Sequence, residues 1–280
     1  MITITTASAM REYSRAAKSE GKKIGFVPTM GFLHEGHLSL VSMARKECET
    51  VVLSIFVNPI QFGPKEDLSR YPRDMERDER LCREAGVDAI FAPLAGDMYP
   101  EGFQTTVSVG EISTPLCGAS RPGHFDGVAT VVLKLFNIVE PDAGFFGQKD
   151  FQQLLVIETM ARDLNLSARI AGAPIVREPG GLAMSSRNVY LSAEEREIAL
   201  SLNRSLSWAE EVAKTSVAEA GKIVEGVRGR LEEAGVRVDY VELRDPKNLK
   251  AVENTSGGAL LALAGFVGKT RLIDNRIIGK

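Results

Sequence analysis

Two histidines three residues apart, His34 and His37, enclose Glu35 and Gly36 and make the most chemically suggestive stretch of the 280-residue chain. An imidazole N–H can donate to phosphate oxygens as negative charge moves toward a leaving group, which favours the transition state. The pair therefore reads as a nucleotidyl-transfer site. Gly36 fits: without a Cβ, a base or ribose can lie against the backbone, and a positive φ costs little. A zinc fragment is one alternative, but the metalloprotease pattern sets its histidines four apart on a helix. Two solvated loop histidines are another, against which stands the scarcity of histidine, with only His124 besides.

The flanking residues say what must hold this stretch. Residues 24–27 are a short apolar run rich in β formers, and Leu38, Val41, Ala44 and Cys48 recur at roughly helical spacing. The histidines thus fall in a strand-to-helix loop, where open α/β sheets bind ligands and a helix N-terminus offers free N–H groups to an anion. Residues 51–57 predict a second, buried strand that Asn58-Pro59 stops. A polar loop with Gln61 and with Arg70-Tyr-Pro-Arg73 leads to a helix over 74–85, closed by Gly86, and to a third strand over 87–92. This β-α-β-α-β order implies right-handed crossovers and a Rossmann-like half.

Signals weaken over 93–122, apart from one alternating run at 105–109. Arg121-Pro-Gly-His-Phe-Asp-Gly127 then enters a largely buried helix over 128–139, followed by a strand at 143–146, a turn at 147–150, a helix over 151–164 and a strand at 166–171. Between 173 and 188 the composition turns to Pro, Gly and Ser, predicting a domain boundary with a mobile loop. The expected division is 1–175, a Rossmann-like parallel-sheet domain, and 176–280, a smaller C-terminal α/β lid domain. In the latter, Ser192 and Glu195 form a capping box for a helix toward Lys214, a second helix ends near Gly235, and strands follow at 236–243 and 259–266. Gly268-Lys269-Thr270 imitates the end of a P-loop, but the required earlier glycine is Leu263, so a hairpin turn is the better reading. No G-x-G-x-x-G follows the first strand.

A formal net charge of −3 argues against a nucleic-acid or anionic-membrane partner and leaves room for small anions in a local basic pocket. Cys48, Cys82 and Cys117 are odd in number and far apart, as expected of reduced thiols in a cytoplasmic protein. Neither a leader pattern nor an apolar run of bilayer length occurs.

Five segments in order, Pro28-Thr-Met-Gly-Phe-Leu-His-Glu-Gly-His37, Phe56-Val-Asn-Pro-Ile-Gln-Phe-Gly63, Arg121-Pro-Gly-His-Phe-Asp-Gly-Val128, Phe146-Gly-Gln-Lys-Asp-Phe-Gln-Gln153 and Leu182-Ala-Met-Ser-Ser-Arg-Asn188, together resemble the pantothenate synthetase family. Asp239-Tyr-Val-Glu-Leu, Asp245-Pro246 and Gly268-Lys-Thr-Arg-Leu-Ile-Asp-Asn275 are similar but less diagnostic. The resemblance implies condensation of pantoate with β-alanine at the expense of ATP, through pantoyl adenylate, with release of pyrophosphate and AMP. It also implies Mg²⁺ and a homodimer, and no side chain is assigned as a metal ligand.

By the same resemblance, Met30, Gly31, His34, Gly36 and His37 carry ATP, with His37 the proton donor to pyrophosphate. Gly147, Gln148 and Lys149 place an ammonium on the phosphates, and Asp150 either meets ribose or Mg²⁺ or caps the helix that starts at Phe151. Gln61 and Gln153 grip pantoate, since an amide both donates and accepts. Met184, Ser185, Ser186 and Arg187 form a flexible second phosphate loop, and Val176 meets adenine. Phe32, Gln148 and Pro179-Gly-Gly181 depart from the family pattern and leave loop closure open, as the residues leave open whether Arg121 and His124 shape the site or a subunit contact. Two alternatives stand beside this reading. One is a nucleotidylyltransferase of the same fold whose adenylate is the final product; the other is a non-catalytic nucleotide- or metal-binding module.

Overall fold

The computed structural model describes residues 1–64 and 66–279. Its first sheet is built from β1 (Ile2–Ile4), β2 (Ile24–Thr29), β3 (Thr50–Ile55), β4 (Ala89–Phe91), β5 (Ala143–Gly147) and β6 (Arg169–Ala173). All neighbours run parallel, in the order β1-β4-β3-β2-β5-β6. Such a sheet is covered on both faces, so its strands are nearly continuous apolar runs. Alternation sorts the side chains: Ile24, Phe26, Val52 and Phe91 enter one core, and Val27, Val51, Leu53 and Ile90 the other. Each such large side chain contributes roughly 1.5–3 kcal/mol on full burial.

The connecting helices are α1 (Ala7–Ser19), α2 (Glu35–Glu47), α3 (Met75–Glu84), the one-turn α4 (Ala95–Met98) and α5 (Cys117–Ser120), α6 (His124–Val139) and α7 (Phe151–Asp163). Leu40, Val41 and Ala44 of α2 and Cys82 of α3 cover the second face. On the first face lie α1, α6 and α7. The chain winds outward from β2 through β3 to β4, then returns to add β5 on the other side of β2. The switch point therefore falls between β2 and β5, where ligands of open α/β sheets bind.

The C-terminal part has its own core. α8 (Ala193–Thr215) and α9 (Ala220–Glu233) pack on an antiparallel sheet of β7 (Arg237–Arg244), β8 (Ala259–Val267) and β9 (Thr270–Ile278). Ser192 and Glu195 make the expected capping box, and Gly268, with φ +56°, turns the β8–β9 hairpin where the P-loop imitation stands.

The structure corrects the sequence reading in several elements. β1 and α1 precede the first strand that periodicity identifies; β1 is a three-residue edge strand with only Ile4 buried, too short to show alternation. α1 does carry a signal, since Met10, Ser14 and Ala17 recur at helical spacing behind a Thr6 cap. Residues 105–109 alternate in sequence yet join no strand. β9 escapes the periodicity reading as well, because Arg271, Asp274, Asn275 and Arg276 break its apolar run.

Gly127 links this architecture to the site. A Cβ there would lie 2.7 Å from Gln61 Cα and 2.8 Å from Ile60 O, so the glycine lets residues 60–61 rest directly on α6. Alanine in a helix interior ordinarily stabilises by up to about 1 kcal/mol over glycine. Gly127→Ala is expected to do the reverse, destabilising by about 1–3 kcal/mol through overpacking and lowering the melting temperature by several degrees. A thermal melt showing a higher Tm would mean the segment simply moves aside.

Candidate active site

The loop after β2 is held from below. Thr29 Oγ1 donates to Ser54 O at 2.7 Å and accepts from Gly31 N at 3.1 Å. Gly31 (φ +80°) and Phe32 (φ +49°) then reverse the chain, and the buried Asp78 of α3 accepts from Phe32 N at 2.7 Å and Leu33 N at 2.8 Å. The left-handed φ of Phe32 is a strain of order 1–3 kcal/mol that surrounding contacts must offset. Besides Asp78, the Arg77 guanidinium sits 5.1 Å over the Phe32 ring. Burial pushes the Asp78 carboxyl up, and its two backbone N–H bonds pull the other way.

The two histidines that follow cap α2 reciprocally. His34 Nδ1 accepts from Gly36 N at 3.2 Å, and His37 Nδ1 accepts from His34 N at 3.3 Å. The rings stack, centroids 4.0 Å apart. An Nδ1 that accepts carries no proton, so each neutral ring bears its hydrogen on Nε2. Among the described residues neither Nε2 has a hydrogen-bond partner, and both rings line a cavity of about 220 Å³. Burial, with Lys149 adding repulsion, lowers His34 to about 4; burial, His34 and Lys149 hold His37 well below the usual imidazole range. Both are neutral N–H donors at physiological pH.

Lys149 stands on the next strand's exit, in the 3₁₀ turn Gln148–Asp150 that joins β5 to α7. Its Nζ lies 3.8 Å from Asp150 Oδ2. Asp150 holds the N-cap position of α7 without a side-chain capping bond, so its carboxylate is free for other work. Across the cavity, Ser186 Oγ donates to Phe32 O at 3.2 Å, joining the serine loop to the histidine loop. Arg187 forks onto Asp67 at 2.8 and 2.9 Å and lies over Tyr71. Val176 and Met184 are bonded to each other through their backbones, Met184 N to Val176 O at 3.0 Å.

Gln61 is buried, its Oε1 accepting from Asn58 Nδ2 at 3.0 Å and its Nε2 donating to Met30 Sδ at 3.3 Å. Tyr99 OH fixes Asn58 in turn, at 2.7 Å from Oδ1. The role left open for Arg121 and His124 is now visible. His124 Nδ1 donates to Gln61 O at 2.9 Å, its Nε2 accepts from Arg121 Nη1 at 2.9 Å, and Arg121 is bidentate on Glu66. Burial first, then Arg121, lowers His124 to about 4. Its tautomer is thus the opposite of that at His34 and His37.

Met30, His34, Gly36, His37, Gln61, Gly147, Lys149, Asp150, Gln153, Val176, Met184, Ser185, Ser186 and Arg187 all line the small cavity. Gln61, Lys149, Asp150, Gln153, Ser185 and Arg187 also line an adjoining one of about 1380 Å³. Three expectations change. Gly31 lines neither cavity; it serves the turn, where a Cβ would meet Ile55 Cγ2 at 2.9 Å. Gln148 lines neither, its side chain running beside Gly172 of β6. Gly36 makes room for the His34 ring, 2.9 Å from where its Cβ would be, rather than for a base, and its φ is not positive.

Asp78, Asp67, Asn58 and Asn275 hold candidate-site residues through contacts that the sequence reading misses. Asp78 has a signal: it sits four residues before Cys82, and the two are the buried positions of α3. A carboxylate on a buried helix stripe needs donors, here the histidine loop's backbone.

A parallel α/β sheet with imidazole and ammonium donors gathered at its switch point, and amides beside them, has the build of an enzyme site for a phosphate-bearing ligand such as a nucleotide. A family model, pantoate-beta-alanine ligase, matches residues 2–277. A pantothenate synthetase of Pelotomaculum thermopropionicum is 54% identical, covering 100% of both chains. The crystal structure of pantothenate synthetase from Thermus thermophilus superimposes with a TM-score of 0.94 at 46% identity and full coverage of both chains. A pantoate-beta-alanine ligase from Francisella tularensis, solved with beta-gamma ATP and beta-alanine, gives 0.84 at 34% identity, covering 99% of this chain and 97% of its own. The chain belongs to the pantoate–β-alanine ligase family. Its activity is the ATP-dependent ligation of pantoate and β-alanine to pantothenate.

The imidazole environments set a pH dependence. In the folded chain His34 and His124 protonate near 4, and burial holds His37 well below the usual imidazole range, against 6.5 when unperturbed. Below about pH 6.5 the unfolded chain therefore binds protons that the folded one refuses, and stability falls with falling pH. Urea midpoints are expected to drop between about pH 6.5 and about pH 5, above the ordinary carboxylate range. ¹⁵N spectra should show unprotonated Nδ1 at His34 and His37 and protonated Nδ1 at His124. Flat midpoints, or the same tautomer at all three, would contradict the assigned bonding.

Proposed function

We propose that ligation proceeds in two steps through pantoyl adenylate. A pantoate carboxylate oxygen attacks the α-phosphorus of ATP, and the bond to the bridging oxygen breaks as pyrophosphate leaves. The β-alanine nitrogen then attacks the acyl carbon, loses a proton, and AMP departs with the C–O bond electrons. The observation that carries this reading is the convergence on one cavity of two Nε2–H donors with no partner among the described residues and the Lys149 ammonium. Donors fixed before charge develops need no reorganisation when it does. The Francisella relative was solved with beta-gamma ATP and beta-alanine, two ligands of the kinds this reading brings to the site.

In this reading His34 and His37 donate Nε2–H hydrogen bonds to phosphate oxygens as charge builds on the departing pyrophosphate, and the proton expected to pass from His37 stays on the ring, since a neutral imidazole that gave it up would be left an anion. Lys149 meets the charge of the leaving group. Gln61 and Gln153 hold pantoate, Val176 faces the adenine end, and Met184 opens the second phosphate loop. Ser185, Ser186 and Arg187 complete the phosphate side, with Arg187 sharing its guanidinium between Asp67 and the nucleotide. The larger cavity, which shares six lining residues with the small one, gives the amine its approach.

Asp150 fits Mg²⁺: its carboxylate is uncommitted by capping and half-exposed at the cavity, and Mg²⁺ takes one or two carboxylates beside substrate phosphates. Bound there, the ion would neutralise phosphate charge. A division near 175/176 and a homodimeric assembly complete the proposal, on the family resemblance. Family membership decides against the adenylate as final product, and AMP formed only with β-alanine present would agree. No described helix is long and apolar enough to cross a membrane.

His37→Ala and Lys149→Ala are each expected to slow pyrophosphate release, assayed without β-alanine, by about a hundredfold or more, matching about 3 kcal/mol for one lost transition-state donor. Release at wild-type rates in both variants would remove these roles.

A further inference from the structure

Residue 275 lies on β9 of the C-terminal sheet, far in sequence from the phosphate site, yet its side chain reaches the backbone of the lysine turn that borders it. Asn275 Nδ2 donates to Gln148 O at 3.0 Å and to Lys149 O at 2.9 Å. Both neighbours are acceptors, so the amide must present its NH₂ and not its oxygen. Those two carbonyls belong to the peptide units on either side of the Lys149 Cα. One amide thus pins both peptide planes, and with them φ, ψ and the direction in which the lysine side chain leaves the backbone. Asn275 is buried, where an unmade bond is costly.

The preceding residue does the same for the opposite wall. Asp274, buried, takes Arg177 in a bidentate pair at 2.6 and 2.9 Å, and Arg177 Nη1 also donates to Gly181 O at 3.1 Å. Arg177 and Ala183 form an antiparallel bridge directly before Met184. Adjacent residues of one strand therefore hold the lysine turn and the base of the serine loop.

We propose that Asn275 is a positioning residue for Lys149, so that the C-terminal domain is part of the phosphate site's scaffold and not only its cover. The proposal rests on the phosphate role given to Lys149 above. It assigns Asn275 to adenylation specifically, because the lysine's charge is needed while pyrophosphate leaves and not when the amine attacks the finished acyl adenylate.

The test separates these steps. Asn275→Asp keeps the shape but turns two donors into a carboxylate facing two carbonyls; Asn275→Ala removes the contact without repulsion. Either is expected to lower kcat for pyrophosphate release by about tenfold or more, while turnover of supplied pantoyl adenylate with β-alanine changes less than about twofold. In a Lys149→Ala background the same substitution is expected to add less than about twofold, because its effect runs through the missing side chain. Equal losses in both half-reactions, or full multiplicative losses in both backgrounds, would overturn the proposal and leave Asn275 a general structural residue. Lys149→Ala with unchanged pyrophosphate release would instead remove the phosphate reading itself, and the proposal with it.

Discussion

The site depends on how the first turn of α2 satisfies its backbone. Helix N-termini leave N–H groups without intrahelical partners, and the usual solution is a serine, threonine or aspartate cap. Here imidazoles do it: His34 takes the Gly36 amide and His37 takes the His34 amide. The cap consumes each Nδ1 and so dictates where each hydrogen goes. The positive end of the helix is not offered bare to an anion; it is passed through two rings whose far nitrogens carry the donors. Structural and chemical roles occupy opposite edges of the same side chains, which is why Gly36 must be small: the ring needs the volume that a Cβ would fill.

Neutrality follows from the same arrangement. Burial and the nearby Lys149 disfavour a second positive charge, so the site holds its histidines as donors without net charge. The ammonium is what supplies the long-range attraction. Lys149 meets Asp150 only at 3.8 Å, a loose pairing that leaves most of its field for a ligand. Arg187 is different, since its fork is closed on Asp67. The two cations across the cavity therefore differ in readiness, one open and the other tethered to Asp67.

How much of this is legible without coordinates depends on the range of the interactions. The strand-to-helix placement of His34 and His37 follows from local periodicity, and the convergence of Lys149 and the serine loop from the pattern of motifs. What stays hidden is made across the fold. Asp78 acts 45 residues from its partner Leu33, Asn275 acts 126 from Lys149, and neither pairing leaves a periodic trace. Gly36 stands out in the sequence for the wrong reason, because sequence shows a missing Cβ without showing what fills the gap. β9 is obscured by the very polar residues that hold the site, a local inconsistency of the kind functional positions produce.

Topology explains why segments more than a hundred residues apart form one pocket. Winding outward from β2 and returning to its other side as β5 makes the two central strands neighbours, with Gly25 opposite Ala143 and Phe26 opposite Gly144. Neighbouring strands lie about 4.8 Å apart, so loops leaving their carboxyl ends cannot avoid one another. One loop becomes the histidine cap and the other the lysine turn. The parallel sheet fixes their separation but not the lysine's direction, since a 3₁₀ turn of three residues has little hydrogen bonding of its own. That remaining freedom is what an amide from β9 removes, and it gives the C-terminal sheet a physical reason to be docked where it is.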